Sequence, residues 1–225
     1  MAAELAGLRA RLAAPEPLAG AILSLPEPGL ATLLGTAGFD YVVVDAEHGP
    51  FTLATLRPVV EALAATTAHT IVRVAANDAT IIKQTLELGV DGIQVPGVAG
   101  GEEAAAAVRA VRYAPEGERG IGVGRSTRYG LDLPGYLHEA NASIATLAMI
   151  EDAAGVEHVA DIAATPGLDA IIVGPLDLSA GLGGPPAELR SLVEAGSHVT
   201  LIFFDALDIG AAARAAVQAA RASLA

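Results

Sequence analysis

Residues 145–151 have the sequence ATLAMIE and residues 170–177 have the sequence AIIVGPLD, so one apolar run leads to Glu151 and the other to Asp177. Short apolar runs followed by turn residues are typical of strands that are covered on both faces of a parallel sheet. The carboxyl ends of neighbouring parallel strands meet at one rim, where ligands bind. Two carboxylates at that rim suit a divalent cation such as Mg²⁺ or Mn²⁺. The two runs therefore predict an α/β enzyme with a metal site.

Apolar runs alternate with helical patterns along the chain, and this alternation predicts βα units around a parallel sheet. The predicted strands are Leu18–Leu25, Tyr41–Val44, Thr70–Val74, Gly92–Val95, Ala145–Ile150, Ala170–Val173 and Val199–Phe204. The predicted helices are Pro28–Gly38, Leu53–Ala65, Ala79–Leu88, Glu102–Val111, Val156–Thr165 and Ile209–Ser223. No linker rich in Pro or Ser divides the chain, so residues 1–225 are expected to form one domain. The segment Tyr113–Ala140, rich in Gly and Arg, is predicted to be a long loop that serves as a lid or a subunit contact.

The composition excludes several classes of partner. The chain has 225 residues, of which 52% are hydrophobic, and its formal net charge is −13. This charge repels phosphate backbones and anionic lipids, so neither nucleic acid nor a membrane surface is expected as a partner. The absence of cysteine excludes disulfides and thiolate chemistry. No apolar run reaches the roughly 18 residues of a membrane span, and charges and prolines interrupt the N-terminal stretch, so a soluble cytoplasmic protein is expected.

The second predicted strand leads into the sequence DAEHG over residues 45–49, which brings Asp45, Glu47 and His48 together. Ionisable groups beside an apolar strand are costly unless they are paired or used. Histidine is suited to proton transfer near neutral pH, and a neighbouring carboxylate can orient its ring. Alternatively, His48 could belong to a capping network before the helix that follows. The motif alone leaves both interpretations open.

Two basic residues constrain the chemistry. Arg73 lies at the end of the third predicted strand, where its guanidinium could bind a carboxylate or polarise a carbonyl, although a structural salt bridge is the more common role. Lys83 is the only lysine and lies mid-helix, where a solvated position is expected. A Schiff-base enzyme needs a desolvated lysine in its pocket. Carbonyl chemistry in this chain is therefore expected to rely on metal, arginine and hydrogen bonds.

Asp177 follows a Gly-Pro turn, whose backbone N–H groups could face an anionic ligand at a helix N-terminus. A lone aspartate at this position would be interpreted as a helix cap. Because Glu151 is predicted to lie on the same rim, metal ligation is the preferred interpretation for the pair.

Four blocks of sequence, in this order, resemble the HpcH/HpaI family of class II pyruvate aldolases, whose type members cleave 4-hydroxy-2-oxoheptanedioate. The blocks are FDYVVVDAEHG at 39–49, GVDGIQVP at 89–96, RYAP with GERG at 112–120, and residues 173–183. The resemblance extends from about Leu18 to Gly183. It implies a TIM-like (β/α) barrel and a homo-oligomer, a trimer or hexamer, in which the C-terminal helix Ile209–Ala225 packs on a neighbouring subunit.

The resemblance also implies roles for individual residues. Glu151 and Asp177 match the two metal-binding carboxylates. Arg73 matches the arginine that holds the keto oxygen of pyruvate and stabilises its enolate. His48 matches the general acid/base, with Asp45 close behind it.

Two further matches concern the substrate. The backbone amides of Leu176 and Asp177 match those that bind the pyruvate carboxylate. Glu87 falls where the family often has an aspartate that supports the histidine from a neighbouring subunit.

The chain also departs from the family pattern. Met149 stands where many members have a glutamine near the bound ketoacid, and methionine cannot donate that hydrogen bond. After Gly183 the chain passes quickly through residues 184–198 to a seventh strand, so one βα unit is expected to be missing or irregular. Eight strands is the size at which side chains fill a barrel interior.

Together these features predict a divalent-metal-dependent carbon–carbon lyase that cleaves or forms a 4-hydroxy-2-oxo acid from pyruvate and an aldehyde. Mg²⁺ or Mn²⁺ is the expected metal, and Co²⁺ or Zn²⁺ is compatible. The alternatives are related enolate chemistry (oxaloacetate decarboxylation or a biosynthetic carbon–carbon ligation) and a non-catalytic shortened barrel that binds a ketoacid.

Overall fold

Seven parallel strands form one curled sheet in the order β6-β5-β4-β3-β2-β1-β7. A computed structural model describes residues 7–182 and 199–223. The strands are β1 Leu18–Leu23, β2 Tyr41–Asp45, β3 His69–Arg73, β4 Gly92–Val95, β5 Ala145–Ile150, β6 Ala170–Val173 and β7 Val199–Phe204. The predicted TIM-like α/β fold and its seven strands are confirmed.

Helices follow the strands, as the alternation predicted, and one further helix precedes β1. They are α1 Leu8–Ala13, α2 Pro28–Thr36, α3 Leu53–Leu63, α4 Ala79–Leu86, α5 Gly101–Val111, α6 Leu133–Ser143, α7 Ala153–Glu157, α8 Val159–Ala163, α9 Pro175–Leu182 and α10 Asp205–Ser223. Within the described ranges, β6 and β7 end the strand order and do not pair with each other. The predicted shortening at residues 184–198 lies outside the described residues.

The sheet separates two hydrophobic cores. The outer core lies between the strands and the helices and includes Val42, Val44 and Val59. The inner core is formed by the alternate strand residues, such as Val43 and Leu147, and by two leucines of α1. Helix α1, which sequence reasoning missed because it is only six residues long, therefore closes the inner core at the N-terminal end of the strands.

A repeated G-x-D sequence ties neighbouring strands together at that end. In each copy the glycine has a positive φ, and the aspartate carboxylate accepts a backbone N–H from the preceding strand at 2.7–2.8 Å. The three copies, called the G-x-D clasps, are Gly38-Phe39-Asp40 with Ala19, Gly89-Val90-Asp91 with Thr70, and Gly167-Leu168-Asp169 with Thr146. Arg11 and Arg9 of α1 bind the first and third clasp aspartates, each at 2.6 Å.

The structure corrects several predicted boundaries. Strand β1 ends at Leu23 rather than Leu25, because the N–H groups of Ser24 and Leu25 donate to the buried carboxylate of Asp205 instead of to a strand. Asp205 also begins α10, four residues before the predicted start.

The predicted loop Tyr113–Ala140 is wrong in its last part, where α6 begins at Leu133 with Pro134 in its first turn. Proline is well tolerated there because the first N–H groups of a helix have no intrahelical partner. The predicted helix Val156–Thr165 is instead the two short helices α7 and α8, which meet at His158. No helix in the described part of the chain is long and apolar enough to cross a membrane.

Gly20→Ala is expected to destabilise the fold, because a Cβ at this position of β1 would overlap the ring of Tyr41 in the inner core. Overpacking of this kind costs about 1–3 kcal/mol. The control is Gly29→Ala in α2, where a Cβ meets no atom within 4 Å and alanine should gain about 0.5–1 kcal/mol. Urea unfolding followed by circular dichroism compares the two, and equal stabilities would contradict the packing described here.

Candidate active site

The carboxyl ends of β2 to β6 bring together the ionisable residues that the sequence singled out. Asp45 and Arg73 close β2 and β3, and they are direct neighbours in the register of the two strands. Glu151 directly follows β5, and Asp177 lies in the first turn of α9, just after β6. The site therefore occupies the rim where parallel α/β sheets bind ligands.

Arg73 is held by Asp45 in a buried, two-pronged ion pair. Its Nε donates to Oδ1 at 2.9 Å and its Nη2 to Oδ2 at 2.6 Å. Asp45 is 1% exposed. Burial alone would raise the pKa of Asp45, but the hydrogen bonds and charge of Arg73 outweigh burial and hold that pKa below its ordinary value. Asp45 thus orients the guanidinium, and it meets His48 through the backbone N–H of that residue at 3.2 Å.

Three further carboxylates share the rim and repel one another. Burial raises the pKa of Glu151, and the charges of Glu47 and Asp177 raise it further. Burial also raises the pKa of Glu47, although Arg73 opposes the shift. Oε2 of Glu47 is buried without a hydrogen-bond partner, 3.3 Å from Nε of Arg73. The cluster carries more negative charge than its one arginine balances, so it favours a cation.

Glu47 is the residue of this cluster to which sequence reasoning gave no role. The DAEHG motif contains Glu47, but the pattern suggested roles only for the histidine and for the aspartate that closes the strand. Its Oε2 lies 3.7 Å from Nε2 of His48, whose side chain is 63% exposed. The imidazole therefore lies beside the carboxylates and remains open to a substrate.

The backbone packs closely around Glu151. A Cβ on Gly174 would lie 3.0 Å from Cβ of Glu151 and 2.6 Å from Cε of Met149. Gly97 has a φ of +62°, and its N–H donates to Glu151. Within residues 7–182 and 199–223, no group of three or more His, Cys, Asp or Glu side chains is arranged to hold a metal ion. Two carboxylates are nevertheless enough for Mg²⁺, which usually keeps several waters.

Met149 lies against Arg73 at the floor of this site. Its sulfur is 3.6 Å from Nη1 of Arg73 and 3.3 Å from Nε2 of Gln94. Both donors are almost completely buried. Gln94, which sequence reasoning did not single out, lies beside Arg73 in the register of β3 and β4.

The first turn of α9 presents Leu176 and Asp177 at the rim, and both residues are exposed. The first N–H groups of a helix have no intrahelical acceptor, so they are available to an anion.

The other predicted residues lie away from this cluster. Glu87 ends α4 at the opposite end of the strands, where its carboxylate lies 3.5 Å from the buried Arg119. Its predicted role across a subunit contact stays a prediction. Lys83 is exposed in the middle of α4, as expected.

The family model described as HpcH/HpaI aldolase/citrate lyase matches residues 20–223. The chain belongs to this family. The predicted family is thereby confirmed, and two curated relatives match 78% of the HpcH/HpaI chain. They are a hydroxypyruvate/pyruvate aldolase of Delftia acidovorans, 41% identical over 177 residues, and a 5-keto-4-deoxy-D-glucarate aldolase of Klebsiella pneumoniae, 43% identical over 176 residues.

Each alignment covers 78% of this chain, but 65% of the Delftia protein and 68% of the Klebsiella protein. The matched part of the HpcH/HpaI chain thus spans about two thirds of these relatives. A crystal structure of a family member from Burkholderia cenocepacia superposes with a TM-score of 0.88 at 31% identity, covering 95% of this chain and 98% of that one.

Proposed function

We propose that this protein is a divalent-metal-dependent class II aldolase, a lyase that cleaves or forms a 4-hydroxy-2-oxo acid with pyruvate as product or donor. The observation that carries the proposal is the Asp45-bound guanidinium of Arg73 beside the carboxylates of Glu47, Glu151 and Asp177. The aldolase names of relatives 41–43% identical to this chain support the same reaction class.

Glu151 and Asp177 would hold the metal, and oxygen donors of this kind favour Mg²⁺ or Mn²⁺ over Co²⁺ or Zn²⁺. When bound, the metal would polarise the carbonyl of the 2-oxo acid as a Lewis acid. The mutual repulsion of the carboxylates fits such a cation, because its positive charge would offset theirs.

Side chains and backbone groups of this chain would stabilise the enolate, transfer the proton and bind the carboxylate. Arg73 uses one N–H each of Nε and Nη2 to bind Asp45, which leaves Nη1 and the second N–H of Nη2 to stabilise the oxygen that becomes the enolate. His48 takes the proton from the 4-hydroxyl as the carbon–carbon bond breaks. The N–H groups of Leu176 and Asp177 bind the carboxylate of the 2-oxo acid. The exposed position of Lys83 argues against a Schiff base.

The oligomer forms part of this proposal. The segment after α5 exposes large apolar side chains, with Leu131 91% exposed and Ile121 and Val123 about two thirds exposed. Contiguous exposed apolar groups are typical of interaction sites. We expect this segment and α10 to contact neighbouring subunits of a trimer or hexamer, where Glu87 would approach a neighbour's histidine.

A second candidate is carbon–carbon ligation on the same enolate. A structure named citrate synthase SbnG superposes with a TM-score of 0.83 at 27% identity, over 96% of this chain and 98% of that one. The replacement of the expected glutamine by Met149 also favours a changed acceptor. Decarboxylation of oxaloacetate would use the same enolate.

The test measures deuterium exchange into the pyruvate methyl group by NMR, since this reports enolate formation for any acceptor. Removal of metal with EDTA is expected to lower exchange by about 10³-fold, because a Lewis acid supplies several kcal/mol. Mn²⁺ or Mg²⁺ should restore it. Two results together would overturn the metal mechanism: exchange that survives EDTA, and a covalent imine between the protein and pyruvate that borohydride reduces.

Product assays with the same metal-loaded protein separate the candidates. Pyruvate release from 4-hydroxy-2-oxo acids is expected for the aldolase. Carbon dioxide release from oxaloacetate, or condensation without aldehyde turnover, would favour the second candidate. Absence of both exchange and cleavage would favour a non-catalytic barrel.

A further inference from the structure

We infer that Gln94 is a positioning residue for the 2-oxo acid site, and that it acts on Arg73 through the sulfur of Met149. This inference rests on the proposed function. Nε2 of Gln94 donates to Sδ of Met149 at 3.3 Å, and Nη1 of Arg73 approaches the same sulfur at 3.6 Å. Two strong donors from adjacent strands thus converge on one weak acceptor.

The geometry of Arg73 makes its third nitrogen the important one. Nε and Nη2 are bound to the carboxylate of Asp45. Nη1 is the nitrogen that makes no bond to Asp45, so both of its N–H groups remain available, and the group that touches it influences where a substrate oxygen is bound. One N–H of Nη1 can face the acceptor at position 149 while its other N–H faces a charged oxygen, so Met149 can orient Nη1 without blocking it.

Gln94 is placed to hold that thioether. It is 3% exposed and is the register partner of Arg73 across β3 and β4. The inner core below it is apolar, and a buried amide costs free energy unless it is hydrogen-bonded. A glutamine that only filled space here would cost folding free energy, and its hydrogen bond to the sulfur of Met149 offsets that cost.

Met149 also connects the arginine to the metal-binding side of the site. Its methyl group packs beside Gly174, where a Cβ would lie 2.6 Å from Cε of Met149 and 3.0 Å from Cβ of Glu151. A methionine has three rotatable side-chain bonds and would otherwise sample several conformations. The hydrogen bond from Gln94 selects one in which sulfur faces Arg73 and the methyl group faces Glu151.

The test uses Gln94→Leu, Met149→Leu and the double variant, with pyruvate exchange measured at saturating Mn²⁺. Each single variant is expected to lower kcat about tenfold with KM for pyruvate changed less than about twofold, because orientation matters most as charge develops on the oxygen. The kcat of the double variant should be no lower than that of the less active single variant, since both residues act through one contact. Met149→Gln, which offers both donors an amide oxygen, should retain exchange within about threefold of wild type.

Thr146→Val is the matched control, since it removes a buried, unpartnered hydroxyl from β5 outside this contact. It should exchange like wild type. Circular dichroism checks folding, and Gln94→Met provides a second variant that keeps the side-chain length but lacks the donor.

Each outcome has a defined meaning. Folded variants whose exchange equals that of wild type, or losses that multiply in the double variant, would overturn this inference and leave the proposed function intact. A wild-type protein without metal-dependent exchange would overturn the proposed function, and this inference with it.

Discussion

Glu151→Gln is expected to lower metal-dependent pyruvate exchange by at least about 10³-fold, with no loss of folded structure. The substitution keeps the size of the side chain but removes the charge that would bind the cation. Burial, together with the neighbouring charges of Glu47 and Asp177, raises the pKa of Glu151, so the apo-protein should become more stable when this charge is removed. Opposite effects on stability and on activity are a signature of a functional carboxylate.

The measurement combines exchange kinetics with calorimetric titration of Mn²⁺ in the presence of pyruvate. Asp177→Asn should behave like Glu151→Gln. Asp161→Asn in α8 removes an exposed carboxylate that does not belong to the cluster of Glu47, Glu151 and Asp177, so it should leave both readouts unchanged, as should Lys83→Ala. If Glu151→Gln bound Mn²⁺ as tightly as wild type does, the assignment of the metal site would be wrong.

Arg112→Met is expected to destabilise the fold by about 3–5 kcal/mol, because it leaves a buried set of acceptors without their donor. The side chain of Arg112 is 1% exposed. It donates to the backbone oxygens of Asn141 and Ile144 at 2.8 and 2.6 Å, and to the carboxylate of Asp169 at 3.0 Å. One guanidinium thus joins α5, the end of α6 and the third G-x-D clasp.

Arg109→Met provides the control for this prediction, because Arg109 lies three residues earlier, in the last turn of α5, with a side chain that is 48% exposed. Surface substitutions of this kind change stability by less than about 0.5 kcal/mol. Denaturant unfolding followed by far-UV circular dichroism measures both variants. Similar midpoints for the two would show that the contacts of Arg112 are energetically unimportant.

The strands were predictable from sequence because each is a short apolar run between turn residues, covered on both faces. Helices α1 and α6 were not, since the first is short and the second begins among Leu, Pro and Gly residues without a clear apolar period. Strand ends proved sensitive to side chains distant in sequence. The carboxylate of Asp205 ends β1 by accepting the N–H groups of Ser24 and Leu25, and no local pattern records that contact.

The candidate site was also predictable only in part. The sequence placed Glu151, Asp177 and Arg73 on one rim, because strand ends in a parallel sheet share an edge. It did not reveal that Asp45 binds Arg73 rather than the imidazole of His48, which depends on the register of β2 and β3. The role of Gln94 was not predictable for a related reason. The partners of an amide within an apolar strand are known only when the neighbouring strands and their register are known.

The three G-x-D clasps hold the sheet together at the end of the strands opposite the candidate active site. Each clasp aspartate fastens its strand to the one before it, so β1–β2, β3–β4 and β5–β6 are each joined by a local side-chain bond. Each of these bonds is a side-chain contact added to the backbone pairing of the strands. The carboxyl ends of the strands, which carry Asp45, Arg73, Gln94 and Glu151, contain no clasp residue, so substitutions at that rim leave all three clasps in place.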